Sequence, residues 1–187
     1  MTEYTGGAEI ISPLHVRHVM RYQNACNYID KSMNVLDAAC GTGYGTDILS
    51  RHCRRVIGVD SDIEALRESR KNYNHLFLEA NLLKTSFGGQ DAIVSIETLE
   101  HFSEEDGETL LQNFHNWLLP KGILIISTPY CLMSGPSPVT TTHLWEYSLT
   151  DFDRTLSNTG FRIETIELQQ HEGAYGRRGY LMAKATK

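Results

Sequence analysis

The sequence predicts an α/β fold, a mostly parallel sheet with helices on both faces. Two observations point there. Short aliphatic runs of strand length recur along the chain, at Val35-Leu36, Val56-Ile57-Gly58-Val59, Ile93-Val94-Ser95-Ile96 and Ile123-Leu124-Ile125-Ile126. Segments with helical apolar spacing separate them, such as Leu110, Leu111, Phe114, Trp117 and Leu118. Alternation of the two periods is the mark of strands joined by helices.

Taken in order, residues 1–12 read as loop, with Gly6-Gly7 as a joint. Leu14 to Asp30 reads as a helix whose apolar residues include Val16, Val19, Met20, Ala25, Cys26 and Ile29. Among them sit His15, Arg17, His18, Arg21 and Tyr22, so the segment is either a solvated amphipathic helix or a lid over a ligand. A strand over 33–37 leads through glycines at 41, 43 and 45 into a helix over 44–52. A strand at 55–60 follows, then Ser61-Asp62 as a helix cap and a helix over 63–74. Leu76–Glu79 is a short strand, Gly88-Gly89 a turn, and 91–96 a strongly apolar strand. Ser103-Glu104-Glu105-Asp106 opens the next helix with acids in its first turn. Leu119-Pro120-Lys121-Gly122 reads as a tight turn into a strand at 123–127. The prolines and glycine of 128–142 mark a loop, followed by a helix from Leu149 to Thr159. Residues 161–169 alternate like a half-exposed strand, Gly173 and Gly176 lie in a turn, and 179–185 forms the last strand.

The strand that ends at Asp37 is the one to build a site on. A strand that turns through glycines into a helix brings bare backbone N–H groups to a ligand, at the end of the sheet where α/β folds bind them. A second acid, Asp60, ends the next strand, about 20 residues on, the distance at which a carboxylate grips a ribose. A dinucleotide fingerprint fits less well. Its third small residue would fall at Thr46, and a carboxylate at Asp37 would repel a pyrophosphate. A ligand with an ammonium, a sulfonium and a ribose, and no phosphate, satisfies both acids.

The stretch Asp37-Ala38-Ala39-Cys40-Gly41-Thr42-Gly43 resembles motif I of the class I S-adenosylmethionine (SAM)-dependent methyltransferases, although many members carry glycine where Ala39 stands. Asp60 matches the family's ribose-binding acid, and Glu97-Thr98-Leu99-Glu100-His101-Phe102 resembles its motif IV. The run His18–Ala25 resembles a segment found in methyltransferases linked to cell-surface polysaccharide synthesis. The resemblance implies a single Rossmann-like domain over 1–187, with a seven-stranded, mostly parallel sheet and a C-terminal antiparallel hairpin. Within it, 1–30 would be an N-terminal lid segment and 128–147 a substrate-side loop. It implies SAM as cofactor and S-adenosylhomocysteine (SAH) as product. The cofactor would meet Tyr22, Asp37, Ala39, Gly41, Gly43, Tyr44, Asp60, Ser61, Ile63, Asn81, Leu82 and Ile96, with Asn81 accepting from the adenine amino group.

Length and composition set the bounds. The 187 residues suit one domain with a proper core, and the net charge of −6 argues against a strongly electrostatic nucleic-acid or membrane partner. Cys26, Cys40, Cys53 and Cys131 form no zinc or redox spacing and read as reduced thiols. The polar first residues carry no secretory leader pattern and no apolar run is long enough to span a membrane, so a cytoplasmic protein is expected.

Two histidines, His101 and His143, follow the carboxyl ends of strands and are candidate bases, with Glu97 facing the reacting centre. Glu97, Glu100 and His101 have E-x-x-E-H spacing, and with His143 they form a candidate set for Mg²⁺, Mn²⁺ or Zn²⁺. This set resembles the metal constellation of small-RNA 3′-end 2′-O-methyltransferases and of ubiquinone-pathway O-methyltransferases, which act on adjacent hydroxyls. The expected activity is O-methylation of a small-molecule or sugar-like acceptor. Metal-assisted methylation of an RNA 3′ end, a SAM-binding module without catalysis, and an NAD(P)-dependent oxidoreductase are the alternatives.

Overall fold

The computed structural model describes residues 13–138, 140–173 and 176–187; the expected loop over 1–12 lies outside them. Strands β1 (Asn34–Ala38), β2 (Arg55–Asp60), β3 (Leu76–Glu79), β4 (Gln90–Ile96), β5 (Leu118–Tyr130), β6 (Arg162–Gly173) and β7 (Gly176–Thr186) form one sheet in the order β3-β2-β1-β4-β5-β7-β6. The first five pair in parallel, and β7 lies antiparallel between β5 and β6. The expected Rossmann-like seven-stranded sheet with a C-terminal antiparallel hairpin is therefore present.

Among the described residues five α-helices accompany the sheet: α1 (Pro13–Ala25), α2 (Tyr44–Ser50), α3 (Ile63–Asn72), α4 (Glu104–Trp117) and α5 (Leu149–Asn158). Asp62, Ser103 and Ser148 cap α3, α4 and α5 by accepting backbone N–H bonds in the first turn. The period of two in each strand sorts the core into two layers. Val35, Ala92, Val94, Ile123 and Ile125 pack with Tyr22 and Ala25 of α1 and Leu49 of α2. Leu36, Ile93, Leu124 and Ile126 pack with Leu110, Leu111 and Phe114 of α4 and Phe152 and Leu156 of α5. Burying each such aliphatic side chain contributes about 1.5–3 kcal/mol.

Several boundaries differ from expectation for local reasons. The expected turn at 119–122 is absorbed into β5. Pairing runs from Gln90↔Leu118 to Ala92↔Ile123 with a register shift, and Lys121 takes φ 68° within the bulge. The terminal hairpin is longer than 161–169 and 179–185, because pairing continues to Gly173↔Gly176. The first helix ends at Ala25, followed by a turn of 3₁₀ helix over Cys26–Tyr28. Its faces are also turned from the apolar reading: Met20 is 59% exposed and Arg21 only 1%. Tyr22 explains this rotation. Its ring is buried against the glycine turn, and a Cβ added at Gly45 would meet it at 2.1 Å.

Gly45 is thus the seat of the Tyr22 ring. Gly45→Ala is expected to cost about 1–3 kcal/mol of unfolding free energy by overpacking. In a Tyr22→Ala background that cost should shrink, measured by urea unfolding of the four proteins of the cycle. Strictly additive costs would show that the ring is not the obstacle.

Candidate active site

The parallel strands β1, β2 and β4 end together, and the residues that follow them wall a cavity of about 460 Å³. From the β1 end comes Ala39; from β2, Asp60, Ser61 and Asp62; after β3, Ala80, Asn81 and Leu82; after β4, Glu97, Thr98, His101 and Phe102. Two non-glycine wall residues have left-handed backbones, Ala39 at φ 63° and Glu97 at φ 54°. Such strain costs of order 1–3 kcal/mol at each position and clusters at functional sites. At Ala39 it falls on the position where glycine would relieve it.

Asp60 is held ready at the wall. Its Oδ2 accepts the Gly41 N–H at 2.7 Å and its Oδ1 the Asp62 N–H at 2.9 Å. Each carboxylate oxygen keeps a further lone pair for a ligand hydroxyl. Gly41, with φ 54°, has nothing within 4 Å of a would-be Cβ. The Asn81 Oδ1 accepts the Leu83 N–H at 2.8 Å, which orients the side chain in the wall.

Asp37 lies behind the wall. It is fully buried, accepting hydrogen bonds from Tyr22 Oη at 3.0 Å and Thr46 Oγ1 at 2.6 Å. Burial pushes its carboxyl up to about 7, against the two hydrogen bonds and with help from the charge of Asp60. It reaches a ligand only through the turn that it braces.

The end of β4 gathers the charged groups. Glu97 Oε1 accepts from Ser127 Oγ at 2.7 Å and lies 3.6 Å from the buried guanidinium of Arg21. Arg21 also stacks on the Tyr180 ring at 4.1 Å, while its Nε and Nη2 have no hydrogen-bond partner. Burial raises Glu97 to about 7 despite Arg21 and Ser127. Burial, and then the charge of Glu97, push Glu100 well above the usual carboxylate range, and Thr128 Oγ1 donates to it at 3.1 Å.

Glu100 and His101 lie in one turn of 3₁₀ helix, Leu99–His101, onto which the 142–145 segment folds. The Glu100 carbonyl accepts the amides of Leu144 and Trp145, and the Thr142 carbonyl accepts from His101 Nδ1 at 2.8 Å. This clamp brings the His143 ring edge-on to His101, centroids 5.2 Å apart. Glu100, His101 and His143 each offer one ligand atom, all within 4.8 Å of one another.

Residues 35–122, which hold the glycine turn, Asp60 and the Glu97–His101 turn, match the family described as a methyltransferase domain. That match, on the glycine turn, Asp60 and the Glu97–His101 turn, supports a class I SAM-dependent methyltransferase. A probable S-adenosylmethionine-dependent methyltransferase of Mycolicibacterium smegmatis is 27% identical over 154 residues, covering 79% of this chain and 59% of that protein. A probable enzyme of the same description from Mycobacterium tuberculosis is 28% identical over 151 residues, 78% of this chain and 54% of that protein. The chain thus spans between half and three-fifths of these relatives. The N-methyltransferase NodS of Bradyrhizobium japonicum, solved with SAH, shares the fold at TM-score 0.73 and 20% identity, covering 94% of this chain and 88% of that one.

The wall of this methyltransferase domain fits the family's cofactor, SAM. The carboxylate of Asp60, which can accept from hydroxyls, the apolar side chain of Leu82 and the carboxyl of Glu97 all line the cavity. Of the residues expected around the cofactor, Ala39, Asp60, Ser61, Asn81 and Leu82 are in the wall. Tyr22 and Asp37 stand behind it, and Tyr44 is half-buried against Tyr22, ring to ring. Gly41 and Gly43 shape the turn with φ 54° and 84°. Ile63 is exposed and Ile96 buried, and neither is in the wall. Among the expected catalytic residues, Glu97 and His101 line the cavity and His143 stands beside His101.

One expectation needs correction. Glu97 is not in the cluster of metal-ligand atoms, which holds Glu100, His101 and His143. Its φ of 54° and the bond its carboxylate accepts from Ser127 Oγ turn that carboxylate toward Arg21 instead. Arg21 itself was hidden in the sequence by its place among surface-type residues of α1. Ser127 and Thr128 belong to no motif, and Glu146 lies in the run His143–Ser148, which resembles the RNA-end and polysaccharide-linked methyltransferases without giving Glu146 a role. Only their position at the end of β5 and after His143 could have singled them out.

The raised Asp37 has a measurable consequence. Its folded value of about 7 lies above the usual 3.8, so the folded protein keeps a proton that the unfolded chain loses. Its contribution is complete below about pH 4 and is lost as pH rises toward 7. Relative to Asp37→Asn, the wild-type protein should lose stability between pH 4 and 7 and hold level above. Urea midpoints across that range check this, and a pH-independent difference would refute it.

Proposed function

We propose that this domain transfers a methyl group from SAM to an oxygen of a small-molecule or sugar-like acceptor. The observation that supports this is the pair of imidazoles beside the cavity. Each has its Nδ1 tied, His101 to the Thr142 carbonyl and His143 to Glu146, which leaves Nε2 as the nitrogen available to an acceptor. When bound, SAM supplies an electrophilic methyl group on a positively charged sulfur. His101 Nε2, in the cavity wall, takes the acceptor hydroxyl's proton as the oxygen attacks in line. Asp60 and the glycine turn hold the nucleoside end, and Asp37 and Tyr22 keep the turn rigid. No helix among the described residues is long and apolar enough to cross a membrane, in keeping with a cytoplasmic enzyme.

A second reading is metal-assisted. The three clustered ligand atoms of Glu100, His101 and His143 favour it. A divalent cation there would bind and acidify one of two adjacent acceptor hydroxyls. Two imidazoles and one carboxylate suit Mn²⁺ or Zn²⁺ better than Mg²⁺, which prefers oxygen donors. Adjacent hydroxyls occur in sugars, catechols and RNA 3′ ends; the net charge of −6 weighs against RNA.

The test is SAH production from SAM over a panel of sugars, catechols and oligoribonucleotides, with and without Mn²⁺. Turnover should fall about 10²-fold or more in His101→Ala. Asp60→Asn should weaken SAH binding, measured by calorimetry, with thermal unfolding reporting any loss of the two backbone bonds that Asp60 accepts. SAH binding with no turnover on any acceptor would leave a binding module without catalysis.

A further inference from the structure

We propose that Glu146 is a positioning residue that fixes the His143 ring so that its Nε2 joins Glu100 and His101 in one cation-binding set. This rests on the metal-assisted reading above. The Glu146 carboxylate lies 2.9 Å from His143 Nδ1, three residues along the same bend, and only 11% of its side chain is exposed. A carboxylate so nearly buried is costly unless paired, and the His143 ring is the pairing group here.

The backbone of Glu146 already secures the loop without its side chain. Its N–H donates to the Gly135 carbonyl at 2.8 Å, its carbonyl accepts the Gly135 N–H at 3.1 Å, and Tyr147 bridges to Tyr130. Holding the loop therefore leaves the carboxylate unexplained. Ring orientation explains it. An imidazole that ligates through one nitrogen and donates through the other has its tautomer and angle set by the second contact. His101 is treated in the same way by the Thr142 carbonyl. Both rings are thus fixed through Nδ1, one by a neutral acceptor and one by an anion, and both leave Nε2 for the cation. The Glu100 carbonyl, which accepts the Leu144 and Trp145 amides, fixes the segment just after His143, and the Glu100 side chain supplies the third donor. The set is pre-organised by contacts that lie outside it.

The experiment is a calorimetric titration of Mn²⁺ into SAH-saturated protein, for the wild type, Glu146→Ala and Glu146→Gln. Co²⁺ absorption serves as a second readout, and ¹⁵N NMR of the metal-free protein reports the His143 tautomer. Glu146→Ala should weaken Mn²⁺ at least tenfold, change the Co²⁺ spectrum and release His143 from the Nδ1–H form. Glu146→Gln, whose amide oxygen still accepts from Nδ1, should keep the tautomer and lose less affinity. Its thermal unfolding controls for a folding defect. If the wild type binds neither ion, the metal-assisted reading fails and this inference with it. If the wild type binds Mn²⁺ and Glu146→Ala binds equally well with an unchanged tautomer, the role of Glu146 is refuted and the metal-assisted reading stands.

Discussion

The buried carboxylate of Asp37 is the constraint on which the glycine turn of the site depends. It sits at the end of the central strand β1, with no exposure and two hydroxyl donors. One donor, Thr46, belongs to α2 just past the glycines; the other, Tyr22, belongs to α1. A single side chain thereby ties the sheet, the helix after the glycine turn and the N-terminal helix. Leaving that carboxylate unsatisfied in the core would cost several kcal/mol, so the three elements hold one arrangement. The Tyr22 ring then requires Gly45, and the rotation of α1 that seats Tyr22 also carries Arg21 inward to Glu97. The position of the charge at the end of β4 thus follows from a hydrogen bond made at the end of β1.

The acceptor side is organised by a different device, a loop clamped by backbone bonds. The 142–145 segment has little regular structure of its own, yet it bonds at three points to the single turn after β4. Those bonds do not depend on the identity of the side chains at 142, 144 and 145. The segment can therefore vary in sequence around His143 and still deliver the histidine to the same place.

The layout of the sheet and the first half of the site were legible in the sequence because they rest on local chemistry. The glycine turn, Asp60 and Asn81 each follow a strand end directly, and all three shape or line the cavity. What was not legible depends on packing. Periodicity on α1 placed Met20 inside and Arg21 out, whereas the Tyr22–Asp37 bond sets the rotation the other way. The spacing of Glu97, Glu100 and His101 suggested one gathered set, but the left-handed backbone at Glu97 turns its carboxylate away. A positive φ at a glutamate has no signature in the chain. The contacts of Glu146 and Ser127 likewise join elements about 30 residues apart or lie in a loop of irregular path.

The charge balance at the end of β4 links the two halves. Two buried carboxylates, Glu97 and Glu100, face one buried guanidinium, Arg21, which pairs with Glu97. With both carboxylates ionised the cluster holds an uncompensated negative charge in a medium where that is expensive. Burial accordingly pushes both acids up, and the charge of Glu97 pushes Glu100 further. On the readings proposed above, one more positive charge would relieve the cluster, and three kinds come into question: a proton on Glu100, a cation held by Glu100 and the two imidazoles, or the positive charge of a cofactor bound near Glu97. The first leaves Glu100 a neutral support for Thr128 and His101 the working base. The second recruits Glu100 as a ligand. The third acts at Glu97, on the cavity wall, in either case. Under the metal-assisted reading the proton and the cation would compete for the same carboxylate. The base reading and the metal reading are thus two charge states of one cluster, separated by what occupies Glu100.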